Sequence, residues 1–361
     1  MLKVFGSPSR YLQGPQALNA MGPYLARLGS RAVLIADRAV LDLIATRVRD
    51  VCKAAGVDCE PVEFSGEIIP REVDRLSAVA RGLNPSFIIG AGGGKGIDAG
   101  KGVAHALGTS IVTIPTAASN DAPTSKNYVL YDDNHRLLRV EHMPTNPEVV
   151  VVDTSIIVTA PLKMFVAGIG DAVVKKFEVA QCSRAGGPNM FGATGCQAAV
   201  ALADLCYAVL REHAVSALQA VKRRETNESV ERVVEATVLL SGLGFESGGL
   251  SISHAMTRGL SAVRGARDAM HGHQVAYALL VQLTLENRSS AFLADIDSFY
   301  RDTELPLSLA QLGLDNPSAD EIRVIAEGTM TAPHVKNFER TLTAGDIADA
   351  VMSVEKRSRA Q

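Results

Sequence analysis

Short apolar runs recur through the first half of the chain, and between them apolar residues fall at helical spacing. Arg31–Asp37, Val57–Phe64, Phe87–Ile89, Ser110–Pro115 and Glu148–Asp153 are predicted as strands. The short apolar run Phe87–Ile89 suits a sheet covered on both faces. The stretches from about Val40 to Ala55, Ile69 to Leu83 and Gly94 to Leu107 are predicted as helices. The alternation of strand and helix argues for a parallel sheet flanked by helices. Ahead of it, Met1–Gln13 is a lead-in with one strand. Pro15–Leu28 reads as a helix with Leu18, Met21, Leu25 and Leu28 on one face and Gly29 at its end. Tyr128–Val140 reads as a β-hairpin turning at Asp132, Asp133 and Asn134.

After Thr159-Ala160-Pro161 the strand pattern stops. Helices are predicted at Val166–Ala180, Gln197–Glu212, Val230–Phe245, His254–Val263 and His273–Leu285, then at Arg323–Ala326 and Ala344–Ser358. The pattern therefore divides the chain into an α/β domain of residues 1–160 and an all-helical domain of residues 161–361. A length of 361 residues is enough for two cores. Hydrophobic residues make up 47% and charged residues 21%, a balance that excludes disorder. The net charge of −3 comes without any basic run, which sets nucleic acid aside as a partner. No apolar run reaches the roughly 18 residues of a membrane span, and the start of the chain lacks a secretory pattern. The five cysteines are odd in number and form no C-x-x-C pair, so they read as reduced thiols of a cytoplasmic protein.

Candidate chemistry begins at Gly92-Gly93-Gly94-Lys95, directly after the Phe87–Ile89 run. Three consecutive glycines cost backbone entropy on folding, so they imply a close approach to the backbone. A helix starting near Gly94 would aim its free N–H groups and its dipole at an anion such as a phosphate. The dinucleotide pattern G-x-G-x-x-G fails, because Lys95 or Ile97 stands at its last position. The P-loop pattern fails too, because Gly96 follows Lys95. Asp37, the glycine loop and Thr116–Ser125 all follow strands, where ligands bind such sheets. Asp98 and Lys101, three apart, read as an ion pair on a helix face.

In the helical half, Asp171 stands at a helix start, His254 in an apolar context, and His271 and His273 flank Gly272. Positions two apart on a helix point about 200° away from each other, so one of the last two reaches a common centre. One carboxylate and two imidazoles form the ligand set of a catalytic metal with an open position. Zinc and non-haem ferrous iron both accept it.

Four segments resemble the glycerol dehydrogenases of the iron-containing, or type III, alcohol dehydrogenase superfamily. They are Gly92–Lys101, Pro115–Ser125, Gly170-Asp171-Ala172 and His271-Gly272-His273. The resemblance implies an N-terminal Rossmann-like domain and a C-terminal helical domain with a cleft between them, in the dehydroquinate synthase-like architecture. It implies NAD contacts from Asp37, Gly93, Gly94, Lys95, Thr116, Ser119, Ser125 and Tyr131. It implies one zinc ion per subunit on Asp171, His254 and His271. Lys175 occupies a position where many superfamily members have a second histidine; its absence favours zinc over iron. Asp121 would bind the polyol, and His273 would relay the released proton. The implied reaction is reversible oxidation of glycerol to dihydroxyacetone, in a homo-oligomer, often an octamer. Asn120 and Lys126-Asn127-Tyr128 depart from the family pattern, next to the implied nicotinamide contacts. Another vicinal diol, a hydroxyketone or glycerol 1-phosphate is the alternative substrate. A nucleotide-binding regulatory protein is the non-enzymatic alternative, against which the intact metal set argues.

Overall fold

The computed structural model of the chain describes residues 2–133 and 137–359. It divides into two compact units. One is Gly6–Pro161 with Ala220–Gly242, and the other is Met1–Phe5, Leu162–Gln219 and Leu243–Gln361.

The first unit is built on a six-stranded sheet. Its strands are β1 (Arg10–Gly14), β2 (Arg31–Ala36), β3 (Asp58–Glu63), β4 (Phe87–Gly92), β5 (Ser110–Pro115) and, after a hairpin of β6 (Asn127–Tyr131) and β7 (Leu137–His142), β8 (Val149–Asp153). The order across the sheet is β1-β8-β5-β4-β2-β3, and every neighbouring pair is parallel. All residues of β4 and β8 are buried, as continuous apolar runs require in a sheet covered on both sides. Helices α1 (Arg38–Ala54), α2 (Pro70–Leu83) and α3 (Gly94–Leu107) connect the strands. Val40, Ile44, Val48 and Cys52 of α1 pack on one face of the sheet. Leu76 and Ala80 of α2, with Ala99 and Val103 of α3, pack on the other. From β2 the chain passes first to β3 and then back to β4 on the opposite side of β2. This reversal opens a crevice at the carboxyl ends of β2 and β4, where doubly wound sheets bind ligands.

The second unit is helical. Its elements include α4 (Leu162–Val173), α5 (Lys175–Ala185), α6 (Ile252–Leu260), α7 (His271–Leu285), α8 (Ala319–Met330) and α9 (Ala344–Arg359).

Several elements differ from the sequence pattern. Pro15–Leu28 is a 3₁₀ turn (Ala17–Ala20) and a single helical turn (Gly22–Leu25), because Pro23 supplies no N–H to carry an earlier helix onward. The stretch Val166–Ala180 is two helices that meet at Val174. Asn134 of the hairpin turn lies outside the described residues. The division at residue 160 also runs differently for two segments: the N-terminal residues up to Phe5 belong to the helical unit, and 220–242 is helical yet belongs to the α/β unit. Polar contacts tie this second segment there. Gln13 donates to Glu231, Thr154 donates to Glu231, and the Thr124 hydroxyl donates to the Val238 carbonyl. Val238 lies in a π-helical stretch, Glu235–Leu240. Among the described residues no helix is long and apolar enough to cross a membrane.

Candidate active site

In the α/β unit, β4 ends in Gly92 at φ 133°, a conformation that glycine adopts without strain. Gly93 caps α3 without any side-chain hydrogen bond, and a Cβ built on it meets no atom within 4 Å. The first-turn N–H groups of α3 therefore face open space beside a side-chain-free backbone. A Cβ on Gly94 would come within 2.5 Å of Asn120 Nδ2, so the loop after β5 closes over this turn. Thr116 N–H donates to the Gly92 carbonyl at 3.0 Å, joining the ends of β4 and β5. Asp37 caps α1 through Oδ1, which accepts from Val40 N–H at 3.0 Å. Its Oδ2 lies 4.0 Å from a Cβ built on Gly92. Asp37 and the glycine turn thus flank the crevice at the β2–β4 reversal. Lys95 pairs with Glu67 at 2.7 Å and lies 5.8 Å from the Tyr131 ring centre.

Asp98 and Lys101 are not a surface pair. Lys101 is fully buried and donates to the carbonyls of Ala122 at 2.6 Å and Asn127 at 2.7 Å, with the Ser125 hydroxyl at 3.5 Å. Asp98 Oδ2 accepts from Val129 N–H at 3.0 Å. Together they pin both ends of the 122–129 segment, which carries Ser125, to α3. Burial pushes the Asp98 carboxyl up to about 6, although the Lys101 ammonium and the Val129 N–H pull it down. The unfolded chain releases this proton near pH 3.9. The folded form therefore binds more protons between about pH 4 and 6, and the stability that this group contributes is lost as pH rises through 6. Denaturant melts of the wild type and Asp98→Asn at pH 4 and pH 7 check this. The difference in unfolding free energy will move toward the variant by about 1–3 kcal/mol at the higher pH.

Asp121 and Ser119, in the same loop, are buried. Ser241 donates its hydroxyl to Asp121 Oδ2 at 2.7 Å. The π-helical stretch sets this contact. It ends just before Ser241, and a Cβ on the following Gly242 would lie 1.9 Å from Thr124 Oγ1. Side-chain-free packing at Gly242 brings Ser241 down onto the loop.

In the helical unit, α4 and α7 cross closely. A Cβ on Gly272 would lie 1.8 Å from the Ala167 carbonyl oxygen, and one on Gly170 would lie 2.5 Å from the Gly272 carbonyl oxygen. This brings Asp171 beside His271. His254 arrives from α6, and ligand atoms of Asp171, His254 and His271 all lie within 4.8 Å of one another. Asp171 Oδ1 is 3.3 Å from His254 Nε2 and 3.8 Å from His271 Nε2. A tetrahedral ion with bonds of about 2.1 Å spaces its ligand atoms by roughly 3.4 Å, so the set fits such an ion. Asp171 Oδ2 is buried without a hydrogen-bond partner among the described residues, a further acceptor for a cation. His273 is outside the cluster; its Nε2 is buried and makes no hydrogen bond among the described residues. Burial, reinforced by Lys163, lowers its pKa and favours the neutral ring.

Two further residues complete the centre. Glu178 accepts from His254 Nδ1–H at 2.5 Å and from the His254 and Ser251 N–H groups at 2.9 Å. Carboxylates in this relation fix a ligand imidazole's tautomer and orientation. Asp171, Lys175 and Glu178 follow helical spacing of four and then three, a signal legible in the sequence. Lys175 is fully buried and donates to Asp171 Oδ1 at 2.8 Å. Burial pushes Asp171 and Glu178 up, but the Lys175 ammonium and the imidazoles outweigh it, and both carboxyls are held below the usual range.

The sequence profile of the iron-containing alcohol dehydrogenase family matches residues 8–154. A glycolaldehyde reductase of Halobacterium salinarum is 36% identical over 99% of both chains. A glycerol dehydrogenase of Escherichia coli O6:H1 is 39% identical over 91% of this chain and 89% of its own. The crystal structure of a probable glycerol dehydrogenase from Sinorhizobium meliloti 1021 superposes with a TM-score of 0.94 at 34% identity, covering all of both chains. On these matches the chain belongs to the iron-containing alcohol dehydrogenase family, alongside its glycerol dehydrogenases, and is an alcohol dehydrogenase.

Proposed function

We propose that the chain is an NAD-dependent, zinc-dependent glycerol dehydrogenase that interconverts glycerol and dihydroxyacetone. The observation that carries this reading is the convergence of Asp171, His254 and His271, with Glu178 behind His254. Three protein ligands with an open position is the arrangement of catalytic zinc. The glycerol dehydrogenases at 39% and 36% identity, over 91% and 98% of the chain, supply the substrate class.

A bound zinc ion would supply Lewis-acid polarisation of a substrate hydroxyl, and NAD the hydride acceptor. The chain's own residues do the rest. Glu178 holds the His254 ring so that Nε2 faces the ion. Asp121, steadied by Ser241, accepts a hydrogen bond from a neighbouring hydroxyl and orients the polyol. His273, neutral and unpartnered at Nε2, takes up the released proton. The N–H groups at Gly93–Lys95 hold the pyrophosphate, with Thr116, Ser119, Ser125 and Tyr131 along the cofactor. Asp37 accepts hydrogen bonds from the adenosine ribose, and its charge repels a 2′-phosphate.

Asp37→Gly will therefore lower the preference for NAD over NADP by about tenfold or more, read as the ratio of kcat/KM values. Unchanged selectivity would separate Asp37 from the ribose. For the substrate, kcat/KM is compared for glycerol, 1,2-propanediol and glycerol 1-phosphate in oxidation, and for dihydroxyacetone and glycolaldehyde in reduction, with metal content measured on the same protein. Glycerol and dihydroxyacetone are expected to lead. Preference for the phosphate would overturn the reading. The second reading is a reductase of small hydroxyaldehydes, which the match to a glycolaldehyde reductase favours; glycolaldehyde leading the series would establish it.

A further inference from the structure

We propose that Lys175 is an internal cation of the metal centre, which competes with the divalent ion for Asp171 and His254 and sets its affinity. The inference rests on the metal-centre reading above. The ammonium lies 2.8 Å from Asp171 Oδ1 and 3.1 Å from His254 Nε2. These are two of the three ligand groups, and the two atoms are only 3.3 Å apart. The imidazole Nδ1–H is committed to Glu178, so Nε2 is the nitrogen that an ion would use, and it is the one facing Lys175. An ion bound to both atoms would sit within a few ångströms of Nζ, and like charges that close repel strongly in a buried setting.

Lys175 has no solvent exposure, so its charge cannot be screened by water. The Phe245 ring centre lies 5.3 Å from Nζ, and an aromatic face of this kind can receive a displaced ammonium. Without the ion, Lys175 neutralises Asp171 and keeps the ligands assembled. With the ion, the ammonium must leave them, and that displacement weakens binding.

The test is the zinc affinity of metal-stripped protein, measured by competition with a chromophoric chelator, for the wild type, Lys175→Met, Lys175→Gln and His254→Ala. Both Lys175 variants are expected to bind one zinc ion at least about tenfold more tightly than the wild type. Zinc will also raise their melting temperatures more than that of the wild type, because their metal-free forms lack the neutralising ammonium. A role confined to packing would weaken zinc binding or leave it unchanged. If the wild type binds one ion in a His254-dependent way and neither variant tightens it, the Lys175 proposal fails alone. If neither the wild type nor either Lys175 variant binds stoichiometric zinc, the metal-centre reading fails and takes the proposal with it. Should the methionine variant fold poorly, the glutamine variant, which keeps a donor toward Asp171, decides.

Discussion

His254→Ala will remove stoichiometric zinc and lower turnover by at least about a thousandfold. The imidazole links two buried carboxylates: Nδ1–H donates to Glu178, and Nε2 faces Asp171. Its loss deletes one of the three proposed ligands, and a Lewis acid is worth several kcal/mol to a reaction of this kind. It also takes a charge partner from both Glu178 and Asp171, which stay buried, so stability will fall by about 3 kcal/mol. Circular dichroism separates the two effects by confirming a folded variant. Metal content is read by elemental analysis, and turnover is read with excess zinc. A folded His254→Ala protein with one zinc ion and wild-type turnover would take His254 out of the centre.

The α/β half was legible because two of its central strands, β4 and β8, are fully buried apolar runs. Phe87–Ile89 and Val149–Val152 admit few other readings once helical stretches separate them. The Pro15–Leu28 stretch misled, because an apolar stripe at helical spacing survives even where Pro23 breaks the hydrogen-bond ladder. The ladder, not the stripe, decided the structure. The π-helical stretch at Glu235–Leu240 left no periodic trace, and neither did its attachment to the α/β unit. The attachment runs through contacts over a hundred positions apart, such as Ser241 on Asp121.

Site residues divided along the same line. Asp171, His254 and the His271–His273 pair stood out because polar groups in apolar surroundings need partners. That only one of His271 and His273 reaches the cluster follows from the helix period; that it is His271 does not. Asp98 and Lys101 were legible as neighbours but not as buried ones. Their spacing suits an exposed pair equally; the carbonyls of Ala122 and Asn127, with Asp98 Oδ1 at 3.9 Å, make burial of Lys101 tolerable. Glu178 was missed: its spacing from Asp171 and Lys175 was a signal that could have found it, but its partner His254 lies 76 residues on, where no local pattern reaches.

Two glycine substitutions will part the scaffold of the glycine turn from its proposed ligand. In an exposed helix Gly→Ala is favourable by about 1 kcal/mol. At Gly96 the sign reverses, because the new Cβ would lie 2.4 Å from the Ala91 carbonyl oxygen, a backbone atom of β4. Gly100 allows no slack, since a Cβ there would already lie 2.5 Å from Gly90 Cα. Helix α3 must therefore move off the sheet, which will cost about 2–3 kcal/mol of stability. A shift near 1 Å at its first turn also displaces the N–H groups, so KM for NAD will rise at least about tenfold. Gly93→Ala differs. Its φ of −75° suits alanine, and its Cβ meets no atom within 4 Å, so the melting temperature will hold. The methyl group enters the space assigned to the pyrophosphate, and KM for NAD will rise by a similar factor through steric exclusion alone. Thermal melts with NAD titrations on both variants separate these routes. A Gly93→Ala protein with wild-type stability and wild-type KM would mean that the first turn of α3 does not hold the cofactor.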